Sequence, residues 1–392
     1  MMYDFESLVN RENTGNLKEC LTPAELSRNN QIIFAGAEMD FKTAPVMINA
    51  LKRFASEGIF GFTLPDRPYT DAIRWWMQNA RDFKVSAEEI VPTLGTIFSV
   101  GTAIRAFTQP GDGVIILHPV YYRYDVRVRE NGRAVVSVPL TEVNNVYSLD
   151  LQALEAQMAQ PRNKLLLLCN PHNPIGKVFT RQELESIRDL AVAYDVVVFS
   201  DEIFAEVAFD GHTVTPFVDI APQNAITCTS LGKTFNLTGV NHANVIIRSD
   251  SLRSAFLKQR NTDHFGSIDP FFYCSVLAGY SPEGLTWAKA MKAYVWNNYT
   301  QMQTFFAQNL PRLHISPLEG GFVIWIDFRA LGLDDEALAA FLEQDAQMYL
   351  DRGSDYGPQG RGYCRMNIAS PNQYIQSCLG TLHKAYCKRG FA

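Results

Sequence analysis

Lys233, Asp201 and Asn173 each stand just past the end of an apolar run. The runs are Ala225-Ile-Thr-Cys-Thr-Ser230, Val196-Val-Val-Phe-Ser200 and Lys164-Leu-Leu-Leu-Leu-Cys169. An amine can condense with an aldehyde, a buried carboxylate can keep a ring nitrogen protonated, and an amide can bond a ring oxygen. Each residue taken alone has an ordinary reading. A lysine is commonly a solvated surface charge, and an aspartate after a strand commonly begins a turn. Earlier in the chain, Gly95-Thr96 precedes an apolar helix and offers backbone and hydroxyl donors to a phosphate. The same dipeptide is also an everyday helix cap.

What would bring these groups together is the arrangement of the runs that precede them. All three have strand length, and a capping box, Thr180-Arg-Gln-Glu183, starts a helix between the first two. That rhythm predicts parallel βαβ packing with both sheet faces covered, so the strand tips share one edge, where open α/β sheets bind ligands. Further strands are expected at Val114–Leu117 and Arg133–Val138, and a short one at Gln31–Ala37. Helices are expected at Pro45–Ser56, closed by Gly58, and at Tyr69–Arg81, Ile97–Phe107 and Leu149–Met158. After Lys233 the pattern reads as helical and aromatic through Tyr280, followed by a long helix over Glu283–Leu310. Gly320–Asp327, a helix over Asp334–Tyr349 and Tyr363–Ile368 suggest a smaller α+β layer. The fold class is therefore α/β. A large domain with a mostly parallel central sheet covers residues 45–282, and a smaller α+β domain is built from 1–44 and 283–392.

Composition narrows the functional classes. The chain of 392 residues is 47% apolar and 19% charged, which is globular. A net charge of −6 gives no reason to expect nucleic acid or an anionic membrane as partner. The seven cysteines are odd in number and lack metal-ligand spacing, and several fall in apolar runs, so free buried thiols in a reducing compartment are expected. No secretory signal is visible at the start and no run reaches membrane-spanning length, which predicts a soluble cytoplasmic protein. His118, His172 and His242 have no ligand spacing, so no metal is expected.

An amine, an acid, an amide and a phosphate seat on one edge match the needs of pyridoxal 5'-phosphate. Lys233 would form the Schiff base, Asp201 would hold the ring nitrogen, and Asn173 would bond the ring oxygen. Gly95, Thr96 and Ser230 would hold the phosphate. At these residues the chain resembles the fold-type I aminotransferase superfamily: Asn170-Pro-His-Asn173-Pro-Ile-Gly176, Ser200-Asp201-Glu-Ile and Ser230-Leu-Gly-Lys233-Thr-Phe-Asn236. Met39-Asp-Phe-Lys-Thr-Ala-Pro45, Gly58-Ile-Phe-Gly-Phe-Thr63, His118-Pro-Val-Tyr-Tyr122, Trp325-Ile-Asp-Phe-Arg329 and Arg365-Met-Asn-Ile-Ala-Ser-Pro371 are similar to its MalY/PatB-like cystathionine β-lyase branch.

The resemblance implies that Tyr121 stacks on the cofactor ring. It also implies that Arg365 grips the substrate α-carboxylate with help from backbone near Ala37, and that two subunits share the site as a homodimer. It points to a C–S β-lyase acting on sulfur-containing amino acids through a Lys233 Schiff base and a ring-stabilised carbanion. An aminotransferase would use the same residues, and a catalytically weak regulatory homologue is a third reading. Three positions depart from the family pattern. Phe204 stands where Tyr or His is usual, Phe62 where a partner-subunit Tyr reaches the phosphate, and Asn241 where many members carry Arg. With Phe204 and Phe62 two hydroxyls or rings are lost, from which weaker cofactor retention and a Schiff base that titrates higher than in Tyr-bearing relatives are expected.

Overall fold

The structure, a computed structural model, describes residues 3–11, 13–18 and 32–392. Cys20 and Gln31 fall outside that range.

The central sheet contains strands Ile90–Thr93 (β1), Gly113–His118 (β2), Ala134–Pro139 (β3), Asn163–Cys169 (β4), Val197–Asp201 (β5), Ala225–Thr229 (β6) and Ala243–Ile246 (β7). Their order across the sheet is β1-β7-β6-β5-β4-β2-β3. The pairs from β6 through β3 are parallel, and β7 runs antiparallel to both its neighbours. Strand residues alternate between two apolar cores. Ile115, Leu117, Leu166, Leu168 and Val198 enter one, and Val114, Ile116, Leu165, Leu167 and Phe199 enter the other. This period of two, with nearly every residue buried except along the edge strand β3, is the signature of a sheet covered on both faces.

The helices include Pro45–Glu57 (α1), Arg67–Arg81 (α2), Thr96–Phe107 (α3), Arg181–Ala193 (α4), Leu231–Thr234 (α5), Pro270–Gly279 (α6), Pro282–Asn309 (α7) and Asn372–Lys388 (α8), the last lying against α7 through Asn372 and Gln376. Local chemistry sets their ends. Gly58 closes α1 at φ 70°, where a side chain would be strained. Thr180 and Glu183 form the expected capping box on α4. A second sheet, in the order His314–Ile315 (β8), Val323–Asp327 (β9), Tyr363–Asn367 (β11), Asp351–Arg352 (β10), is antiparallel throughout. Ile32–Ile33 runs parallel to Met348–Tyr349 beside it.

The structure corrects the sequence reading in three places. The stretch from Lys233 to Tyr280 is not continuously helical, because β7 returns through the sheet as an edge-side antiparallel strand. The helix expected over Asp334–Tyr349 is α-helical only over Asp335–Ala340. It widens to a π turn at Phe341–Asp345, and Gln347 at φ 54° turns the chain into a strand. The C-terminal helix α8 was not anticipated. Among the described residues no helix is long and apolar enough to cross a membrane.

Asp201 and Glu202, adjacent in sequence, project to opposite faces. Glu202 is fully buried and pairs with Arg81 at the end of α2. It also accepts hydrogen bonds from the Ser200 hydroxyl at 2.9 Å, the Phe217 N–H at 2.8 Å and the Thr227 hydroxyl at 3.2 Å. Close by, Glu206 accepts from Trp76 Nε1 at 3.1 Å and from the Thr234 hydroxyl at 3.2 Å. The cluster ties α2 to the segments that carry Asp201 and Lys233. Arg81→Met would leave Glu202 charged and unpaired in the core. We expect it to destabilise the fold by about 3–5 kcal/mol in denaturant unfolding; a loss below about 1 kcal/mol would contradict this role.

Candidate active site

The parallel register places Cys169, Asp201 and Cys228 side by side across β4, β5 and β6. In-register residues face the same side, so Asp201 is flanked by two small thiols rather than by bulk. Asp201 is the last residue of β5, and the chain runs four residues past the ends of β4 and β6 to deliver Asn173 and Lys233. Ser230 starts α5, its hydroxyl accepting the Gly232 N–H at 3.0 Å, and this turn carries Lys233 back over the edge.

Asp201 is buried, and its Oδ2 accepts the Tyr124 hydroxyl at 2.6 Å while Oδ1 takes the Ile203 N–H at 3.3 Å. Burial pushes its carboxyl up to about 6. Such an acid is short of a cation, and a protonated ring nitrogen would pull it back toward the ionised form. Tyr124 is itself buried beside this acid, and both effects raise its hydroxyl well above the usual range, so it remains a donor. Sequence reasoning assigns Tyr124 no role. Nothing local marks it, since its partner lies 77 residues away.

The Lys233 amine donates to the Ala37 carbonyl at 2.5 Å and lies 5.8 Å from the Phe204 ring centre. Burial, followed by the nearby Arg365 cation, pushes it down to about 8. Phe204 packs edge-on to Phe322 and offers no donor, which is the condition behind the higher Schiff-base titration anticipated from the sequence.

Arg365 is buried on β11. Its Nη1 donates to Asn173 Oδ1 at 3.0 Å, which turns the NH2 end of that amide toward other partners. Its guanidinium also lies 5.0 Å from the Tyr356 ring centre. Tyr121, partly buried, packs against Tyr122 and, at 6.1 Å, against Tyr124. Gly95 has φ 101° at the start of α3, and no side chain caps the first N–H groups of that helix, so they point out unmet beside Thr96. The Ser230 hydroxyl is engaged within the protein, donating to the His242 carbonyl at 2.8 Å. Asn170 serves structure, its Oδ1 accepting the Phe179 N–H at 3.1 Å. His172 sits between the Cys169 and Pro119 carbonyls, and burial pushes it down to about 4. Among the described residues no group of three or more His, Cys, Asp or Glu is placed to hold a metal ion.

A buried acid in need of a cation, an amine of lowered basicity, an amide and an uncapped helix start together fit pyridoxal 5'-phosphate. The perturbed lysine gives a direct check. In the cofactor-free protein, acylation of Lys233 followed by peptide mapping should rise with pH and level off above about 8, whereas an ordinary lysine keeps gaining to about 10.4. Arg365→Met removes a repelling cation and should move the midpoint upward; a midpoint unmoved by that change would contradict the electrostatic origin.

Residues 29–380 match the family described as aminotransferase class I and II. The chain is 34% identical to cystathionine beta-lyase PatB of Bacillus subtilis over 352 residues, 89% of this chain and 91% of that one. It is 29% identical to Protein MalY of Escherichia coli over 386 residues, 98% of this chain and 99% of the relative. Among solved structures, cystalysin from Treponema denticola, which contains a pyridoxal 5'-phosphate cofactor, superposes with a TM-score of 0.92 at 33% identity, covering 99% of this chain and all of that one. With its parallel sheet, its lysine turn and this extent of likeness, the chain belongs to the aminotransferase class I and II family.

Proposed function

We propose that the protein is a pyridoxal-phosphate-dependent C–S β-lyase acting on amino acids that carry sulfur on the β-carbon, of which cystathionine is one. The observation that carries this reading is the likeness to cystathionine beta-lyase PatB over nearly the whole chain, with an amine, acid, amide and guanidinium gathered at one sheet edge. When bound, pyridoxal phosphate supplies the electron sink for charge released at the substrate α-carbon.

The protein's residues do the rest. Arg365 and the Ala37 segment orient the amino acid through its α-carboxylate, while Tyr121 and Asn173 fix the cofactor plane. The uncapped start of α3, with Gly95 and Thr96, receives the phosphate, while Ser230, expected from the sequence to join them, has its one hydroxyl proton committed to the His242 carbonyl and shapes the lysine turn instead. Asp201, held by Tyr124, keeps the proton on the ring nitrogen. Lys233 would anchor the cofactor and, once the substrate's amine displaces it from that bond, would be free to take the α-proton; burial and Arg365 lower its basicity, which favours the neutral amine this requires. Departure of the β-thiolate leaves an unsaturated amino acid, which hydrolyses to pyruvate and ammonia.

We read the two sheets as cores of two domains, 45–282 and the remainder, with the site between them. A homodimer is part of the same proposal. The loop after α1 exposes Ile59, Phe60, Phe62 and Leu64, with Phe62 fully exposed. Beside it a groove of mixed character is lined by Pro45, Val46, Leu277 and Trp287 together with Arg53 and Glu283. Such a contiguous patch suits a second copy. The six described cysteines are free, in keeping with work in a reducing cytoplasm.

The test is pyruvate release from L-cystathionine against keto-acid-dependent amino transfer, run on the same preparation. We expect release to dominate, and Lys233→Ala to lower it by about 10²–10⁴-fold. Robust amino transfer with no release from any β-thio amino acid would replace the lyase with an aminotransferase.

A further inference from the structure

Asp351 and Arg365 face each other directly across the antiparallel pair β10–β11, so their side chains lie on one face of the small sheet. A single carboxylate oxygen, Asp351 Oδ2, accepts from Arg365 Nε at 2.9 Å and Nη2 at 2.5 Å. The same oxygen accepts the Gly36 N–H at 3.0 Å. Gly36 precedes Ala37, whose carbonyl receives the Lys233 amine, so one carboxylate joins the guanidinium to the chain segment lying against the lysine. With the Asn173 bond on Nη1, three of the five guanidinium N–H groups are engaged. One N–H on each Nη is left, and the side edge formed by Nε and Nη2 is closed to any incoming ligand.

We propose that Asp351 is the positioning residue of the substrate clamp: it occupies the side edge of Arg365, so that the α-carboxylate is received by the terminal Nη pair, and it ties the Gly36–Ala37 segment to the same guanidinium. The inference rests on the reading of Arg365 as the carboxylate-binding residue. Its physical basis is preorganisation. A long arginine side chain loses considerable rotamer freedom when it grips a ligand, and here an acid, an amide and the Tyr356 ring have already removed that freedom. Asp351 also makes the clamp neutral before substrate arrives, so recognition depends on the placement of two N–H groups rather than on an uncompensated cation.

The test uses the cofactor-loaded enzyme titrated by calorimetry with L-alanine, which lacks a β leaving group, and with L-alaninamide, which lacks the carboxylate. Wild type should prefer L-alanine clearly. Asp351→Ala should weaken L-alanine by about ten- to a hundredfold and leave L-alaninamide unchanged, as a misplaced binding group does. Asp351→Asn keeps the shape and an acceptor, and should fall between the two. In the lyase assay the loss should appear in KM more than in kcat. Thermal midpoints and cofactor absorbance of each variant separate misfolding from lost positioning, with Asp351→Asn the informative variant if Asp351→Ala fails to fold. Equal or tighter L-alanine binding in a folded Asp351 variant would overturn the proposal, since the carboxylate would then be a bystander or a competitor for the clamp. If wild type itself fails to distinguish acid from amide, the reading of Arg365 falls, and this inference falls with it for that separate reason.

Discussion

Parallel pairing of β4, β5 and β6 sets Cys169, Asp201 and Cys228 in one row, and every group at the site is measured from that row. A slip of one residue in β5 would send Asp201 to the face that now holds Glu202. The register is protected by the two cores, because the same slip would exchange Val198 and Phe199 between them. Hydrophobic burial along the strands therefore decides the position of a charged group at their ends. The site's accuracy is a consequence of packing far from it.

The two adjacent acids at the end of β5, Asp201 and Glu202, solve opposite problems. Glu202 is buried with its carboxylate met by Arg81 and by three neutral donors, and it holds elements together. Asp201 is buried with only a tyrosine hydroxyl and one long backbone contact, and its carboxyl rises to about 6. That shortfall is what makes it suited to a cationic ring nitrogen. Lys233 shows the complementary imbalance, an amine made less basic by burial and by Arg365. Perturbed groups of opposite kind on one sheet edge are the electrostatic mark of a site, whereas the ion pair behind it, Arg81 with Glu202, is architecture.

The N-terminal segment and the small sheet supply the other wall. Asn367 donates its N–H to the Phe34 carbonyl at 2.8 Å, and Met39 donates its N–H to Asn236 Oδ1 at 2.9 Å, three residues past the lysine. The segment around Gly36 and Ala37 is thus clamped from both sheets. Residues from both ends of the chain surround a lysine in its middle, which is why the short motifs carry meaning only together.

Strands, caps and the three tips were legible in the chain because each is a local matter. A short apolar run such as Leu165–Leu168, bounded by turn residues, suits a covered strand, Gly58 marks a turn that side chains resist, and Thr180 with Glu183 closes a helix start within one turn. The family motifs likewise placed Lys233, Asp201, Asn173 and Arg365 at one site. The chain did not announce β7, whose four residues include Asn244 and whose pairing is supplied by β1 and β6. It did not announce that Tyr124 holds Asp201, that Arg81 meets Glu202, or that Asp351 takes the edge of Arg365. Those depend on which distant backbone segments lie beside one another. A polar side chain carries no local record of its partner, because hydrogen bonds and ion pairs are settled only after hydrophobic packing has brought the strands together.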